Sequence, residues 1–449
     1  MPIGLEMSIL RTRCLPIQLV ISLGLLLAVI APGRAQASPV VGPEQSLNRA
    51  VASAEPGETV LVRRGAYPRL RLPAGRRLRG VTVKPAGSER AEISGVSIGR
   101  RAGGLRIEGF RITDVSQLDD VRNVAFVGNE FSPHGIVGAG RGLLFENNYL
   151  HDLTIHRDRA APGPRCNRFS EDAGVAPRCG FAFRLYYSVG VVIRGNRMQR
   201  IPADGLQLLE MRDLLVEGNL FEDISAFVDP LEHSDSIQML GDSDRVTIRA
   251  NFFRRARGIL AQTFKGSGSQ RRLVIENNVM VRLWHWGVNV FDAPGARIVS
   301  NTIWDTGGRG IGLTDDPNDP TPMRGAIVAN NVVSSLRADP ATMAFEDHNM
   351  VDEGTRGGAH DLSVRRPDFV DPEQSDYRLR SGSQGIGDGL GALAPATDVR
   401  GASRSNAGDA AGPPDIGAYE FGARAALPPA FRDLGALSPP LSGRRAAPW

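Results

Sequence analysis

The chain has 449 residues, 52 of them glycine, and only 6% are aromatic. That balance argues against a helical bundle and for many tight turns between short strands. The 53 basic and 49 acidic residues give a formal net charge of +4 with no long single-sign run, which argues against nucleic acid as a partner. Only Lys84 and Lys265 are lysines, so nearly all cationic charge is arginine.

In chain order, Arg11 and Arg13 precede an apolar stretch, Leu15 to Ala31. The small-x-small triplet Ala35-Gln36-Ala37 then precedes Ser38. Residues 1–37 read as a secretory signal peptide, so the protein is expected to be secreted or periplasmic. No later stretch is long and apolar enough to span a bilayer. "EQSLNRAVASA" (Glu44–Ala54) puts Leu47, Ala50, Val51 and Ala54 on one helical face. It predicts a short helix that closes an N-terminal open end.

An octet then recurs: "VAFVGNEF" (Val124–Phe131), "LLFENNYL" (Leu143–Leu150), "VVIRGNRM" (Val191–Met198), "LLVEGNLF" (Leu214–Phe221), "VTIRANFF" (Val246–Phe253), "LVIENNVM" (Leu273–Met280), "ARIVSNTI" (Ala296–Ile303) and "AIVANNVV" (Ala326–Val333). The pattern is apolar-x-apolar-x-x-Asn-x-apolar, with Asn129, Asn148, Asn196, Asn219, Asn251, Asn278, Asn301 and Asn331 in register. A base period of roughly twenty residues with insertions means solenoid coils. Alternating apolar residues make each octet a strand with one face inward. Each Asn suits the following turn, where it tolerates left-handed backbone, and stacked amides can form an internal ladder. The predicted fold is all-β: a right-handed parallel β-helix, a pectin lyase-like solenoid with an N-terminal helical cap, over residues 38–360. Between Asn148 and Asn196 lies a Gly/Pro/Arg-rich loop with room for one weak coil. Removal of residues 1–37 takes away Cys14 and leaves Cys166 and Cys179 in that loop, where one disulfide is expected.

A second strand motif carries Gly or Ser followed by alternating apolar residues. It appears as "HGIVGA" (His134–Ala139), "CGFAFR" (Cys179–Arg184), "DGLQLL" (Asp204–Leu209), "DSIQML" (Asp235–Leu240), "RGILAQ" (Arg257–Gln262), "WGVNVF" (Trp286–Phe291) and "RGIGLT" (Arg309–Thr314). The third and fifth positions are expected in the core, the first, fourth and sixth outside. The first column reads His134, Cys179, Asp204, Asp235, Arg257, Trp286, Arg309. The fourth reads Gln207, Gln238, Leu260, Asn289, and the sixth Arg184, Leu209, Leu240, Gln262. One external patch is therefore expected to hold Arg184, Asp204, Gln207, His233, Asp235, Gln238 and Arg257. Tyr186 and Lys265 lie a few residues farther along their coils.

"EPGETVLVRRGAYPRLRLP" (Glu55–Pro73) with "VTVKPAGSERAEISG" (Val81–Gly95) resembles the opening of secreted β-helix polysaccharide lyases of the chondroitinase B and alginate lyase group. "RPDFVDPEQSDYRLRSGSQGIGDG" (Arg366–Gly389) through "DIGAYEF" (Asp415–Phe421) resembles a C-terminal module common on bacterial secreted β-helix proteins, here residues 361–421. "DPLEH" (Asp229–His233) resembles the Asp-Pro-His motif of β-helix mannuronan C5-epimerases, with Leu231 in the place of the histidine. The Pro/Ala-rich residues 422–449 are expected to be a disordered tail.

This resemblance implies an acidic polysaccharide partner and β-elimination at a uronate, by a protein expected to be a monomer. That reaction needs a cation to neutralise the sugar carboxylate, a base for the C5 proton and an acid for the leaving oxygen. His233 is the expected base and Tyr186 the acid. Arg257, Arg184 and Lys265 are the expected neutralisers. Asp235 joins them as a catalytic carboxylate, and Asp204 with Asp235 would hold Ca²⁺, the one cofactor expected. Arg184, Asp204, Gln207, Gln238, Gln262, Trp286 and Asn289 would bind substrate. C5-epimerisation, glycoside hydrolysis with paired carboxylates, and glycan binding without turnover at the cell envelope are the alternatives.

Overall fold

The structure is a computed structural model. It describes residues 40–88, 90–154, 180–224, 234–263, 268–314, 323–339, 342–354, 357–404, 412–423 and 429–431. Cys166, Cys179, His233 and Lys265 lie outside these residues, as do residues 1–39.

All described strands except Phe369–Asp371 and Asp376–Leu379 pair in parallel, each with its counterpart one coil on, and give three faces wound into one β-helix. The octets begin the first sheet, through Val189–Arg194, Arg212–Glu217, Asp244–Arg249 and Arg271–Glu276. The chain turns at the Asn into the second sheet, through Arg197–Ile201, Leu220–Ile224, Phe252–Arg254 and Val279–Leu283. The Gly/Ser motif forms the third, through Phe183–Tyr186, Leu206–Leu209, Ile237–Leu240, Ile259–Gln262, Val288–Phe291 and Ile311–Thr314. Each coil thus has three strands. The strand after the Asn was hidden in the sequence because the octet supplies only its first two residues.

Alternation places one residue of each octet on a continuous buried stack: Phe126, Phe145, Ile193, Val216, Ile248, Ile275, Ile298 and Val328, all without exposure. Beside this stack runs the amide ladder. Asn129, Asn148, Asn196, Asn219, Asn251, Asn278, Asn301 and Asn331 each donate Nδ2–H to the Oδ1 of the next Asn, at 2.9–3.1 Å. The same Oδ1 accepts the backbone N–H of the preceding Asn, for example Asn196 to Asn219 at 2.9 Å. Nδ2 also donates to a carbonyl of the coil before, as Asn196 does to Phe145 at 2.9 Å. Every amide of this ladder is therefore satisfied. The ladder asparagines do not themselves take the left-handed conformation. The residue before each one does: Gly128, Asn147, Gly195, Gly218, Ala250, Asn277, Ser300 and Asn330 all have φ between 52° and 65°.

The ladder runs directly from Asn148 to Asn196, and Tyr149–His151 pairs with Arg197–Gln199. The 48-residue interval therefore inserts no coil into the stack. At the N-terminal end, helix Leu47–Ser53 buries Leu47 and Val51, with Ala50 and Ala54 packed partly against the core, and Ser46 Oγ accepts the N–H of Arg49.

Phe369–Asp371 and Asp376–Leu379 form a small antiparallel pair. Their Phe369, Tyr377 and Leu379 make a second apolar cluster with Ile416, Ala418 and Tyr419 against the outer side of the second sheet, at Leu220, Phe252, Val279 and Val332. "DIGAYEF" is pinned there by backbone: Gly417 N–H donates to Asn330 O (2.7 Å) and Ala418 N–H to Thr302 Oγ1 (3.0 Å). Arg404 reaches Asn277 Oδ1 at 2.7 Å. Within the segment expected to be a disordered tail, Pro429–Phe431 form a 3₁₀ turn whose Phe431 is buried 5.7 Å from the Phe252 ring. Phe252 would otherwise expose an apolar ring on that sheet.

Candidate functional site

The third sheet sets the register of the predicted patch. Arg184 pairs with Gln207, Gln207 with Gln238, Gln238 with Leu260, Leu260 with Asn289, and Asn289 with Gly312. Ile237, Met239, Ile259 and Ala261 belong to the core, whereas Gln238 and Leu260 lie on the other face. The inward and outward assignments therefore hold on these coils.

They slip on one coil. Arg184 belongs to the fourth column, beside Gln207, and Tyr186 takes the sixth, beside Leu209. Phe181, not Cys179, falls in line with Asp204. Gly180 resembles the small residue of the motif, but Ala182 fills that position: it bonds to Asp204 O, and Phe183 N–H donates to Gly205 O. The position must be small because neighbouring coils touch there. A Cβ on Gly258 would lie 1.8 Å from Gly287 O.

The outward columns are less exposed than a solvent-lining surface. Asp204 is 3% exposed, Asp235 0%, Gln238 4% and Asn289 5%. Asp204 Oδ1 accepts the backbone N–H of Asp235 at 2.7 Å, and its Oδ2 accepts Gln207 Nε2–H at 3.1 Å. Gln207 Nε2 also donates to Gln238 Oε1 at 2.9 Å. These four residues form one polar stack across two coils. Asp235 is thus a buried carboxylate and not the solvent-facing one expected, because Ser234 and Ser236 beside it are buried as well.

The next two coils carry cation and aromatic. The Arg257 guanidinium carbon lies 5.3 Å from the centroid of Trp286, a cation–π geometry. Arg257 O accepts from Ser236 Oγ at 2.5 Å, which ties that arginine to the Asp235 coil. Sequence reasoning missed His285. Its ring meets Trp286 edge to face at 4.4 Å. Partial desolvation and the positive charge of Arg257 hold its pKa below the usual histidine value, with Asp235 pulling the other way. The imidazole is therefore neutral at neutral pH. The signal was its place in "LWHWG", flanked by two tryptophans and two residues before Gly287 of the small-residue column. Trp284 is exposed, and Trp286 Nε1 and Asn289 Oδ1 are buried with no hydrogen-bond partner among the described residues.

Tyr186 and Arg257 are not brought together. Their coils are three steps apart, about 14 Å at the usual strand spacing, whereas the acid and the cation that neutralises the carboxylate must serve one sugar unit. Burial also raises the Tyr186 phenol pKa. Gln262 lies in the sixth column beside Leu240. For Ca²⁺, the described donors are the carboxylates of Asp204 and Asp235 and the side-chain oxygen of Gln238, fewer than the six to eight oxygens that ion takes.

Solved structures resemble this chain at low identity. The Dettilon tailspike protein gp208 matches over 74% of this chain and 69% of its own, with 13% identity and a TM-score of 0.44. A PL6 family polysaccharide lyase from Pseudopedobacter saltans matches over 77% and 97%, with 13% identity and a TM-score of 0.43. Pectate lyase Pel9A matches over 85% and 96%, with 15% identity and a TM-score of 0.40. No family model matches the sequence, and no curated protein matches it. The strand pairing itself defines the fold as a parallel β-helix. Among the described residues no helix is long and apolar enough to cross a membrane.

Proposed function

We propose that the protein acts on a uronate-containing polysaccharide by β-elimination, on the outer face of the third sheet, and that it does so outside the cytoplasm. The observation that carries this reading is the grouping of Arg257, Trp286 and His285, a cation on an aromatic ring with a neutral imidazole against the same ring. A sugar stacked on Trp284 or Trp286 would present its carboxylate to Arg257, which neutralises it by paired hydrogen bonds. His285 then takes the C5 proton. The electron pair forms the C4–C5 double bond, the C4–O bond breaks, and the departing oxygen takes a proton from water. His285 replaces His233 as the assigned base because it meets the ring that carries Arg257.

Gln207, Gln238 and Asn289 would bind sugar hydroxyls along the coils. Hydrolysis by paired carboxylates is less favoured, because both oxygens of Asp204 already accept hydrogen bonds from Asp235 and Gln207. The test is ultraviolet absorbance of unsaturated uronate ends with alginate, pectate, glycosaminoglycans and bacterial exopolysaccharides. No rise in absorbance with any of them sinks the lyase reading. Binding without turnover, read by a retardation gel, would leave a glycan-binding protein.

A further inference from the structure

Away from the third sheet, the last turn of the solenoid gathers two histidines and a carboxylate. We infer that Asp347, His348 and His360 form a binding site for a first-row divalent transition metal such as Zn²⁺, which fastens the closing segment of the β-helix to its last coil.

The sequence places these residues by the coil rule. Glu346 and Asp347 pair with Val328 and Ala329 of the coil before. Val328 is in the buried stack, so Glu346 points inward at the end of the core and Asp347 points out. His348 takes the left-handed turn position before Asn349, with φ 56°. The chain then returns in Gly357–Asp361 across Glu346 and Asp347. A Cβ on Gly358 would lie 2.4 Å from Asp347 Oδ1. The return brings His360 over the coil, with its ring stacked on His348 at 4.7 Å and 13°.

The donor atoms are arranged before any ion arrives. Asp347 Oδ1 accepts the backbone N–H of His348 (2.9 Å) and of His360 (2.7 Å), which fixes the carboxylate. Its Oδ2 lies 2.8 Å from His360 Nδ1 and 4.0 Å from His348 Nε2. One donor atom from each of the three residues falls within 4.8 Å of the others. His348 Nδ1 is 2.7 Å from Asp388 O, an acceptor only, so Nδ1 carries the proton and Nε2 presents its lone pair toward Asp347. A backbone carbonyl that orients a histidine in this way is the usual support of a metal-ligating imidazole. Glu346, Asp347 and Asp361 crowd this turn, and among the described residues no Arg or Lys forms an ion pair with any of them. Two imidazoles and one carboxylate select Zn²⁺, Ni²⁺ or Cu²⁺ over Ca²⁺ or Mg²⁺ and leave coordination positions for water.

The consequence is structural. His348 belongs to the last ladder coil and His360 to the segment whose Asp361 closes the ladder, so one ion would bridge the two.

The experiment uses the untagged mature chain. Zn²⁺ is titrated calorimetrically into protein stripped with a chelator, and thermal melts are taken with Zn²⁺, with Ca²⁺ and with chelator. The expected result is one Zn²⁺ per chain at micromolar affinity, a melting temperature raised by Zn²⁺ and not by Ca²⁺, and loss of both effects in His360→Gln. His360 is exposed, so that variant should melt like the wild type in chelator. His348→Gln provides the second removal. Absence of binding, or Zn²⁺ binding that survives both substitutions, overturns the site.

Discussion

Asn349 donates its backbone N–H (2.7 Å) and its side-chain amide (3.3 Å) to the same carboxylate oxygen of Asp361. It is a ninth ladder residue, since Asn331 Nδ2 donates to Asn349 Oδ1 at 3.0 Å. Each ladder asparagine turns its backbone N–H and one Nδ2–H toward the C-terminal end, so the last one meets an anion, much as an acidic side chain caps a helix N-terminus. Asp361→Ala should leave the backbone N–H of Asn349 unpaired, while Asn349 Nδ2 keeps Val328 O (3.0 Å) and Asp347 O (3.2 Å), and should cost about 2 kcal/mol. Asn219→Leu, in the middle, also orphans the N–H and Nδ2 of Asn196 and should cost roughly 3–5 kcal/mol. Urea unfolding of both variants checks the order. A larger loss for Asp361→Ala than for Asn219→Leu would contradict the ladder as described.

The octets made the solenoid legible because one inward position repeats as a large apolar residue. Asn349 escaped that pattern because Glu346, a charged residue, occupies the inward position where Val328 and Ile298 sit in earlier coils. The third sheet was legible from alternation, and its register slipped only where Gly180 imitated a small residue that is in fact Ala182. His285 lay outside the alternating columns, in the turn that feeds them, so a reading by strand period passed over it. Burial of Asp204 and Asp235 follows from packing between coils, which alternation cannot encode.

The small-residue column offers a sharper test of coil spacing. A Cβ on Gly258 would meet the backbone oxygen of Gly287 at 1.8 Å, and backbone cannot swing aside as a side chain can. Gly258→Ala should destabilise by about 3 kcal/mol or prevent folding, as overpacking does at its upper end. Ile237→Ala, on the adjacent core position, should cost roughly 2–5 kcal/mol through a cavity. Thermal melts within a few degrees of wild type for Gly258→Ala would show that the coils are not in contact there.

Glu420 provides a pH dependence. Burial, followed by the charge of Asp415, raises its pKa from 4.5 to about 7, although Arg404 donates to it at 3.1 Å. The folded state keeps a proton that the unfolded state releases, so this group's contribution to stability falls as pH rises from about 4.5 to 7. Glu420→Gln keeps an acceptor for Arg404 and should reduce that fall by at most about 3 kcal/mol. Melting temperatures across pH 5 to 8 read it. An unchanged slope would remove Glu420 from the account.

The C-terminal turn should matter more than its composition implies. Phe431→Ala, or truncation after Ala423, uncovers Phe252 and should destabilise by roughly 3–5 kcal/mol. A truncated chain with a wild-type melt would return residues 424–449 to the role of a dispensable tail.

The central claim concerns Arg257 and His285, and one measurement addresses it most directly. Initial rates of unsaturated-uronate formation are compared for wild type, Arg257→Ala and His285→Ala on the polysaccharide that gives the largest signal, with melts taken on the same samples. General-base catalysis contributes about 10²–10⁴-fold, so His285→Ala should lose at least about a hundredfold in kcat with its melt unchanged, because the imidazole is exposed. Arg257→Ala should lose a similar factor in kcat/KM. Full activity in both well-folded variants would contradict the assignment of chemistry to this face of the β-helix.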